Sequence, residues 1–177
     1  HLDGLADCLD GWLVNGGRER RLEVMHDPRI GALSAAFLFL FLLLKVFFLY
    51  RCMEAGVGLW ALPLAAVWGR APLAWELWRG PPAQSGKGLY AGLHSEIKSV
   101  HVVLSLLLGL LITAPFGMLL PGWSLGVGVG GALVGSALWH GRWRLYIGGL
   151  SGDVLGAAVE LRELWLLAIF ASLELPA

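Results

Sequence analysis

The chain has 177 residues, of which 57% are hydrophobic and 15% are charged, whereas an average soluble domain carries roughly 25% charged residues. The 13 basic and 13 acidic side chains cancel, so no excess of positive charge favours nucleic acid as a partner. This composition predicts a membrane protein and argues against an ordinary soluble domain.

Residues 1–31 form a charged, amphipathic segment that Asn15-Gly16-Gly17 divides into two predicted short helices. Asp3, Asp7 and Asp10 fall at positions i, i+4 and i+7 of the first helix and so share one face. Carboxylates this close must be protonated, solvated or neutralised by a cation. Oxygen ligands suit Mg²⁺, which often binds beside phosphate substrates. A magnesium site and a solvated acidic helix face are about equally consistent with this pattern.

A second charged cluster follows, in which Glu19, Glu23 and Asp27 alternate with arginines. The planar guanidinium groups of Arg20 and Arg29 match phosphate oxygens and predict a diphosphate-binding rim. A surface helix with local ion pairs is the alternative, and the pattern alone favours it slightly. Because a proline follows Asp27, that aspartate is predicted to lie in a turn before the first membrane span.

The rest of the chain predicts an all-α, polytopic membrane helical bundle of about five spans. The whole chain, 1–177, is interpreted as a single integral membrane domain, with residues 1–31 as the motif segment and 32–177 as spans and loops. The predicted spans are residues 32–50, 57–78, 100–120, 123–139 and 145–173, with a polar loop at 79–98 and a short basic loop at 140–144.

The basic residues predict the orientation of these spans. If the amino-terminal segment faces the cytoplasm, the loops at 79–98 and 140–144 lie on the same side. These three stretches hold Arg18, Arg20, Arg21, Arg29, Arg79, Lys87, Lys98, Arg142 and Arg144. The orientation also places Asp153, near the start of the last span, at the level of the first aspartates.

Acidic residues recur in the last predicted span, where Asp153 and Glu160 are seven residues apart on one helix face. Ionisable groups in an apolar span are costly to insert and usually have a functional role or a charged partner. A functional role is favoured here, although Asp153 could instead cap the helix or pair with Arg144. Lys45, Arg70 and Glu76, within other apolar stretches, raise the same question, with charged ends that reach the membrane surface as the alternative.

Three motifs now stand in order along the chain. The first reads His-Leu-Asp-Gly-Leu-Ala-Asp at 1–7 and continues to Asp10-Gly11; the second reads Arg-x-Leu-Glu-Val-Met-x-Asp-Pro-Arg-Ile-Gly at 20–31. The third reads Gly-Gly-Leu-Ser-Gly-Asp-Val-Leu-Gly-Ala at 148–157. Together they resemble the signature of the cobalamin synthase family, the adenosylcobinamide-GDP ribazoletransferases. The chain departs from the usual family pattern at His26, Ser34 and Ser151, where the family has Lys, Gly and Thr.

The resemblance implies an Mg²⁺-dependent transferase of cobalamin biosynthesis in the bacterial cytoplasmic (inner) membrane, with its active site facing the cytoplasm. Such an enzyme joins adenosylcobinamide-GDP to α-ribazole or its 5′-phosphate and releases GMP. The resemblance also implies hydrophobic spans upstream of the first motif, so we expect this chain to lack an amino-terminal portion. Besides these substrates, membrane lipid is the expected partner. A homo-oligomer remains an open alternative.

The combined hypothesis assigns a role to each charged motif. Metal ligands are predicted at Asp3, Asp7, Asp10 and Asp153, the substrate diphosphate at Arg20 and Arg29, and the general base at Asp27. Two other functions are weighed. A CDP-alcohol phosphotransferase also uses spaced aspartates, but here Asp7 stands where its motif has arginine and its later aspartate pair is missing. A cation transporter would need carboxylates in several spans, yet the two spans at 100–120 and 123–139 have none.

Overall fold

The structure is a computed structural model that describes residues 1–83, 88–116 and 120–173. These residues contain nine α-helices, and the only β pairing among them is an isolated parallel bridge between Pro82 and Leu150. The predicted all-α fold is therefore confirmed. The helices are α1 Leu2–Leu13, α2 Arg18–Met25, α3 Ala32–Glu54, α4 Gly58–Arg70, α5 Leu73–Arg79, α6 Gly88–Glu96, α7 Ser99–Thr113, α8 Gly122–Ile147 and α9 Gly152–Ala171.

Three helical stretches are long and apolar enough to cross a membrane: α3, α7 with the 3₁₀ turn Ala114–Phe116, and α8. With 23 residues, α3 is about 35 Å long, and most of its large apolar side chains face outward, as Phe39 and Leu40 do. Apolar side chains exposed along a whole helix are typical of a lipid-facing surface. The chain is therefore an α-helical membrane protein.

The amino-terminal segment has the predicted organisation. α1 and α2 are separated at residues 14–17, where the Asn-Gly-Gly sequence lies. Asp27 lies in the turn after α2, before Ala32, where α3 begins. The sequence therefore correctly predicted both short helices and the turn that leads into the first long apolar helix.

The middle of the chain differs from the prediction in three places. The region predicted as one span at 57–78 consists of α4 and α5, separated at Ala71–Pro72. The polar loop at 79–98 contains a helix, α6; Lys87, counted in that loop, lies outside the described residues. The predicted basic loop at 140–144 is wrong, because α8 is continuous through it and ends before Gly148, whose φ of 76° ends the helix in a left-handed conformation.

The last helix, α9, is the centre of the packing and contacts α1, α3, α4 and α8. One apolar cluster surrounds its first half and includes Leu5 and Trp143; another surrounds its second half and includes Leu64 and Phe170. Because α9 is enclosed by other helices, its charged side chains meet protein partners rather than lipid. The same packing places the beginning of α9 against α1.

Candidate active site at the crossing of α1 and α9

Two glycines allow the backbones of α1 and α9 to touch. A Cβ atom at Gly4 would lie 2.7 Å from both the Cα and the carbonyl oxygen of Asp153. On the opposing helix, a Cβ at Gly156 would lie 3.2 Å from the Cα of His1. Only glycine fits such a contact without displacing backbone. The start of α1 is therefore held against the first turn of α9.

This crossing brings the predicted metal ligands from both ends of the chain close enough for their charges to interact. Burial, and then the negative charges of Asp3, Asp153 and Asp10, raise the pKa of Asp7 from 3.8 to about 6, while His26 opposes the shift. Asp3 is exposed, whereas Asp7, Asp10 and Asp153 are half-buried. The charges of the other three carboxyl groups all act on Asp7, and the four residues are here called the acidic cluster.

The acidic cluster suits a divalent cation by its chemistry, although it does not form a closed cage. Within residues 1–83, 88–116 and 120–173, no three His, Cys, Asp or Glu side chains converge on a single metal position. Mg²⁺ is commonly held by one or two carboxylates, with waters and substrate phosphates as its other ligands. A cation would also relieve the repulsion that raises the pKa of Asp7. The donor set therefore fits an open magnesium site.

Asp10 also ties α1 to the start of α3. Its Oδ2 accepts a hydrogen bond from the backbone N–H of Gly31 at 2.9 Å, and its Oδ1 accepts one from the Ser34 hydroxyl at 2.7 Å. Ser34 is fully buried. Asp10 thus anchors the first long membrane helix to the acidic cluster, and each oxygen keeps a free lone pair.

Ser151 caps α9 by accepting a hydrogen bond from the backbone N–H of Val154 at 3.3 Å. The side chain of Asp153 therefore does not serve as the cap. It lies in the first helical turn, where the positive end of the helix dipole stabilises a carboxylate.

Arg20 and Arg29, predicted to bind the diphosphate, are exposed, and Asp27, the predicted base, is partly exposed. Asp27 accepts two side-chain hydrogen bonds from Arg29, from Nε at 2.9 Å and from Nη2 at 2.7 Å. These bonds lower the pKa of Asp27 to about 2. Arg20 pairs with Glu23 at 2.7 Å on the surface of α2. Both arginines are bound to neighbouring acids, and Asp27 is a weak proton acceptor while Arg29 holds it.

Two other arginines of α2 bind neighbouring segments and fix the position of the helix. The sequence identified them only as basic residues. Arg21 donates to the carbonyl oxygen of Gly11 at 2.6 Å, and its guanidinium lies 4.7 Å from the centre of the Tyr146 ring. Arg18 donates to the carbonyl oxygen of Ala83. Four arginines stand in α2 and its following turn, and no sequence signal separates those that hold the fold from those that face solvent.

A buried ion-pair network lies further along α9. Lys45 from α3 donates to Glu160 at 2.6 Å and to Glu163 at 2.7 Å, and Arg70 from α4 also pairs with Glu163. The Arg70 side chain comes within 3.4 Å of the His1 ring. The intramembrane charges are therefore paired with one another, and the network reaches the start of α1.

The order of the motifs, the contact between the first and the third, and the membrane helices agree with one protein family. The family model for cobalamin-5-phosphate synthase matches residues 1–171. The chain belongs to the cobalamin-5-phosphate synthase family. This membership favours the transferase over the CDP-alcohol phosphotransferase and cation transporter alternatives.

Curated relatives carry the name adenosylcobinamide-GDP ribazoletransferase. One from Pseudomonas entomophila (strain L48) is 40% identical over 166 residues, which cover 93% of this chain and 65% of the relative. One from Chlorobium phaeovibrioides is 37% identical, with 95% and 68% covered. One from Roseiflexus sp. (strain RS-1) is 36% identical, with 95% and 60% covered. The chain thus spans about two thirds of the length of such relatives, and no solved structure matches it.

Proposed function

We propose that this chain carries the catalytic centre of an adenosylcobinamide-GDP ribazoletransferase in the cytoplasmic membrane, with the acidic cluster on the cytoplasmic side. The proposed reaction joins adenosylcobinamide-GDP to α-ribazole or its 5′-phosphate and releases GMP. The observation that carries the proposal is the contact of Gly4 with Asp153, which unites carboxylates from the first and third motifs. The names of the relatives supply the substrates.

The acidic cluster has the chemistry that transfer from a diphosphate requires. A phosphorus centre flanked by anionic oxygens needs positive charge as the bond to GMP breaks. Bound Mg²⁺ would supply that charge. Asp3, Asp7 and Asp153 are the proposed ligands, and Asp10 contributes while it anchors α3. The repulsion among these carboxyl groups favours a cation over an empty cluster.

The Asp27–Arg29 pair shortly precedes Gly31, which donates to Asp10, and we propose that the pair responds to substrate. A diphosphate that draws Arg29 away from Asp27 would exchange one anionic partner for another. Loss of these hydrogen bonds would raise the pKa of Asp27 and make it a better proton acceptor for the ribazole hydroxyl. The predicted diphosphate and base roles would then depend on each other, with Arg20 adding positive charge nearby.

The test is GMP release from adenosylcobinamide-GDP and α-ribazole by membranes that contain the chain, with added Mg²⁺. Asp3→Asn, Asp7→Asn and Asp153→Asn should each lower the rate at least a hundredfold. Glu23→Gln, which removes an exposed acid outside the cluster, is the matched control. Normal rates in the Asp7→Asn and Asp153→Asn variants, or a wild-type rate unaffected by chelation of divalent metal, would refute the assignment.

A further inference from the structure

A cavity separate from the acidic cluster lies between α5 and α8. Its volume is about 540 Å³, and its lining includes Trp75, Glu76, Trp78, Arg79, His140 and Arg144. We call it the Glu76 pocket. Of the lining residues only Leu150 belongs to the three motifs that carry the family resemblance, and the proposed function assigns no role to the others.

Glu76 lines this pocket, and only one of its two carboxylate oxygens has a hydrogen-bond partner among the described residues. The Oε1 atom of Glu76 accepts a hydrogen bond from Arg162, whose guanidinium is also held by Ser136 at 2.6 Å and by the carbonyl oxygen of Gly69 at 2.8 Å. Glu76 is 1% exposed, and its Oε2 has no hydrogen-bond partner among the described residues. A buried carboxylate oxygen without a donor is unusual and indicates a missing partner.

His140 presents a second unsatisfied atom beside the first. It is 5% exposed, and its Nε2 has no hydrogen-bond partner within the described part of the chain. The distance from this nitrogen to Glu76 Oε1 is 3.8 Å, too long for a hydrogen bond. In the tautomer that carries its proton on Nε2, His140 is a donor. Arg162 Nη2, on the residue that holds Glu76, is a third buried atom without a partner among the described residues. Because Glu76 and His140 both line the pocket, a carboxylate acceptor and an imidazole donor lie next to each other in its wall.

The remaining lining residues favour an anionic ligand with a flat ring. Arg79 and Arg144 are both exposed, and Arg144 donates to the carbonyl oxygen of Arg79 at 3.1 Å, which keeps the two residues together. Trp75 and Trp78 are only partly covered, at 39% and 40% exposure. Guanidinium groups bind phosphate, and indole rings stack on heteroaromatic rings.

We infer that the Glu76 pocket binds the guanine nucleotide portion of the substrate, an inference that rests on the proposed function. The guanine edge has an N–H donor for Glu76 beside a carbonyl oxygen that can accept from His140. Its phosphates would face Arg79 and Arg144. The α-ribazole base has no ring N–H once it is attached to ribose, so it leaves Glu76 Oε2 without a donor.

The position of the pocket relative to the acidic cluster agrees with this assignment. Leu150 lines the pocket and precedes Asp153 by three residues. Three residues span at most about 11 Å even when fully extended. The loop between α8 and α9 is therefore a wall of the pocket and also leads directly to the carboxylate at the crossing with α1.

Binding of GDP to the purified full chain in detergent, with divalent metal chelated, tests the pocket without requiring catalysis. GDP should bind, and Arg144→Gln should weaken binding at least tenfold because it removes a phosphate partner. Arg142→Gln is the matched control: it lies two residues away on α8 and lines a different cavity, so binding should change less than twofold. Absence of GDP binding, or equal loss in both variants, would overturn the inference.

Base selectivity tests the role of Glu76 directly. Adenine has a bare ring nitrogen where guanine has N–H, so ADP should bind at least tenfold more weakly than GDP. Glu76→Gln should abolish this preference, because an amide can pair with either edge, and near-UV circular dichroism would verify that the variant is folded. Equal affinity for GDP and ADP, or equal competition by inorganic phosphate, α-ribazole 5′-phosphate or phosphatidylglycerol micelles, would assign the pocket to another ligand.

The proposed metal site and the proposed nucleotide pocket can be tested separately. Asp7→Asn should abolish transfer but leave metal-free GDP binding within twofold, because none of the four residues of the acidic cluster lines the pocket. Arg144→Gln should raise the KM for adenosylcobinamide-GDP more than it lowers kcat. Loss of GDP binding in Asp7→Asn would overturn the separate pocket, whereas retained transfer in that variant would overturn the proposed metal site alone.

Discussion

Gly4 of the first helix rests on the backbone of Asp153 in the last helix, with no space for a side chain between them. A Cβ atom at position 4 would approach the Cα and the carbonyl oxygen of Asp153 to 2.7 Å. Both atoms belong to backbone, so the contact can be relieved only by moving a helix. The distance between carboxylates from the two ends of the chain therefore depends on this glycine.

Gly4→Ala should separate α1 from α9 and destabilise the protein by about 1–3 kcal/mol, the usual cost of overpacking. Transfer activity should fall more than stability, because the carboxyl groups of Asp3 and Asp7 would move away from Asp153. Gly152→Ala is the matched control, since a Cβ there meets nothing within 4 Å. Thermal midpoints in detergent and rates of GMP release provide the comparison; equal behaviour of the two variants would show that the crossing is not critical.

Asp7→Asn should stabilise the metal-free protein at pH 7.5. Because the folded pKa of Asp7 is about 6, above its ordinary value of 3.8, the proton binds more tightly in the folded state. That contribution to stability is complete below about pH 4 and is lost as the pH rises through 6. Asparagine cannot ionise, so at pH 7.5 the variant should gain about 1 kcal/mol at most, because solvent screens a half-buried carboxyl.

Thermal midpoints in a metal chelator at pH 5 and pH 7.5 measure this difference. The gain should be small at pH 5, where wild-type Asp7 is mostly protonated, and Glu23→Gln should produce none at either pH. Added Mg²⁺ should raise the midpoint of the wild type at pH 7.5 more than that of Asp7→Asn. A variant less stable than the wild type at pH 7.5 would mean that the carboxylates of the cluster do not repel one another.

The sequence predicted the parts of the fold that depend on local chemistry. Helical spacing correctly placed Asp3, Asp7 and Asp10 on one helix, and the apolar run after Ala32 gave the first long membrane helix. It did not predict that α8 continues through residues 140–144, because a short run of basic residues in a helix and one in a loop have the same composition. The stop signal was the glycine at 148.

The sequence did not predict which charged residues pair when they are far apart along the chain. The recurrence of acids in the last predicted span favoured a functional role for them, but did not predict that Lys45 and Arg70 would pair with Glu160 and Glu163. The partners are separated by 93 to 118 positions along the chain. Only the packing of α3 and α4 on α9 decides which charges meet, and no local pattern encodes that packing.

Asp10→Ala should destabilise the protein by about 1–3 kcal/mol, because two donors at the start of α3 lose their acceptor. Ser34→Ala should cost less, about 1 kcal/mol, since the Gly31 hydrogen bond survives. In the double variant the two effects should not add, which a double-mutant cycle on thermal or urea unfolding would measure. Full additivity would show that Asp10 and Ser34 are not coupled.

Arg29→Gln should make transfer more sensitive to acid. The guanidinium of Arg29 holds the pKa of Asp27 at about 2, so without it that pKa should rise toward 3.8. The ionised form of Asp27 would then be lost at a higher pH than in the wild type. The low-pH limb of the kcat/KM profile, which reports the free enzyme, should shift upward more in Arg29→Gln than in Arg20→Gln, whose charge is the smallest of the causes that lower this pKa. Unchanged profiles in both variants would exclude Asp27 from the rate-determining ionisation.

Lys45→Met should be the most destabilising of these substitutions, at about 3–5 kcal/mol, because it leaves two buried carboxylates with one fewer cation. The Lys45 side chain is 19% exposed, and those of Glu160 and Glu163 are 8% and 9% exposed. Adding Glu160→Gln to Lys45→Met should restore much of the lost stability, since Arg70 still pairs with Glu163. Thermal midpoints of the single and double variants in detergent measure the rescue. If the double variant is no more stable than Lys45→Met, the cost arises from lost packing of the lysine stem rather than from unpaired charge.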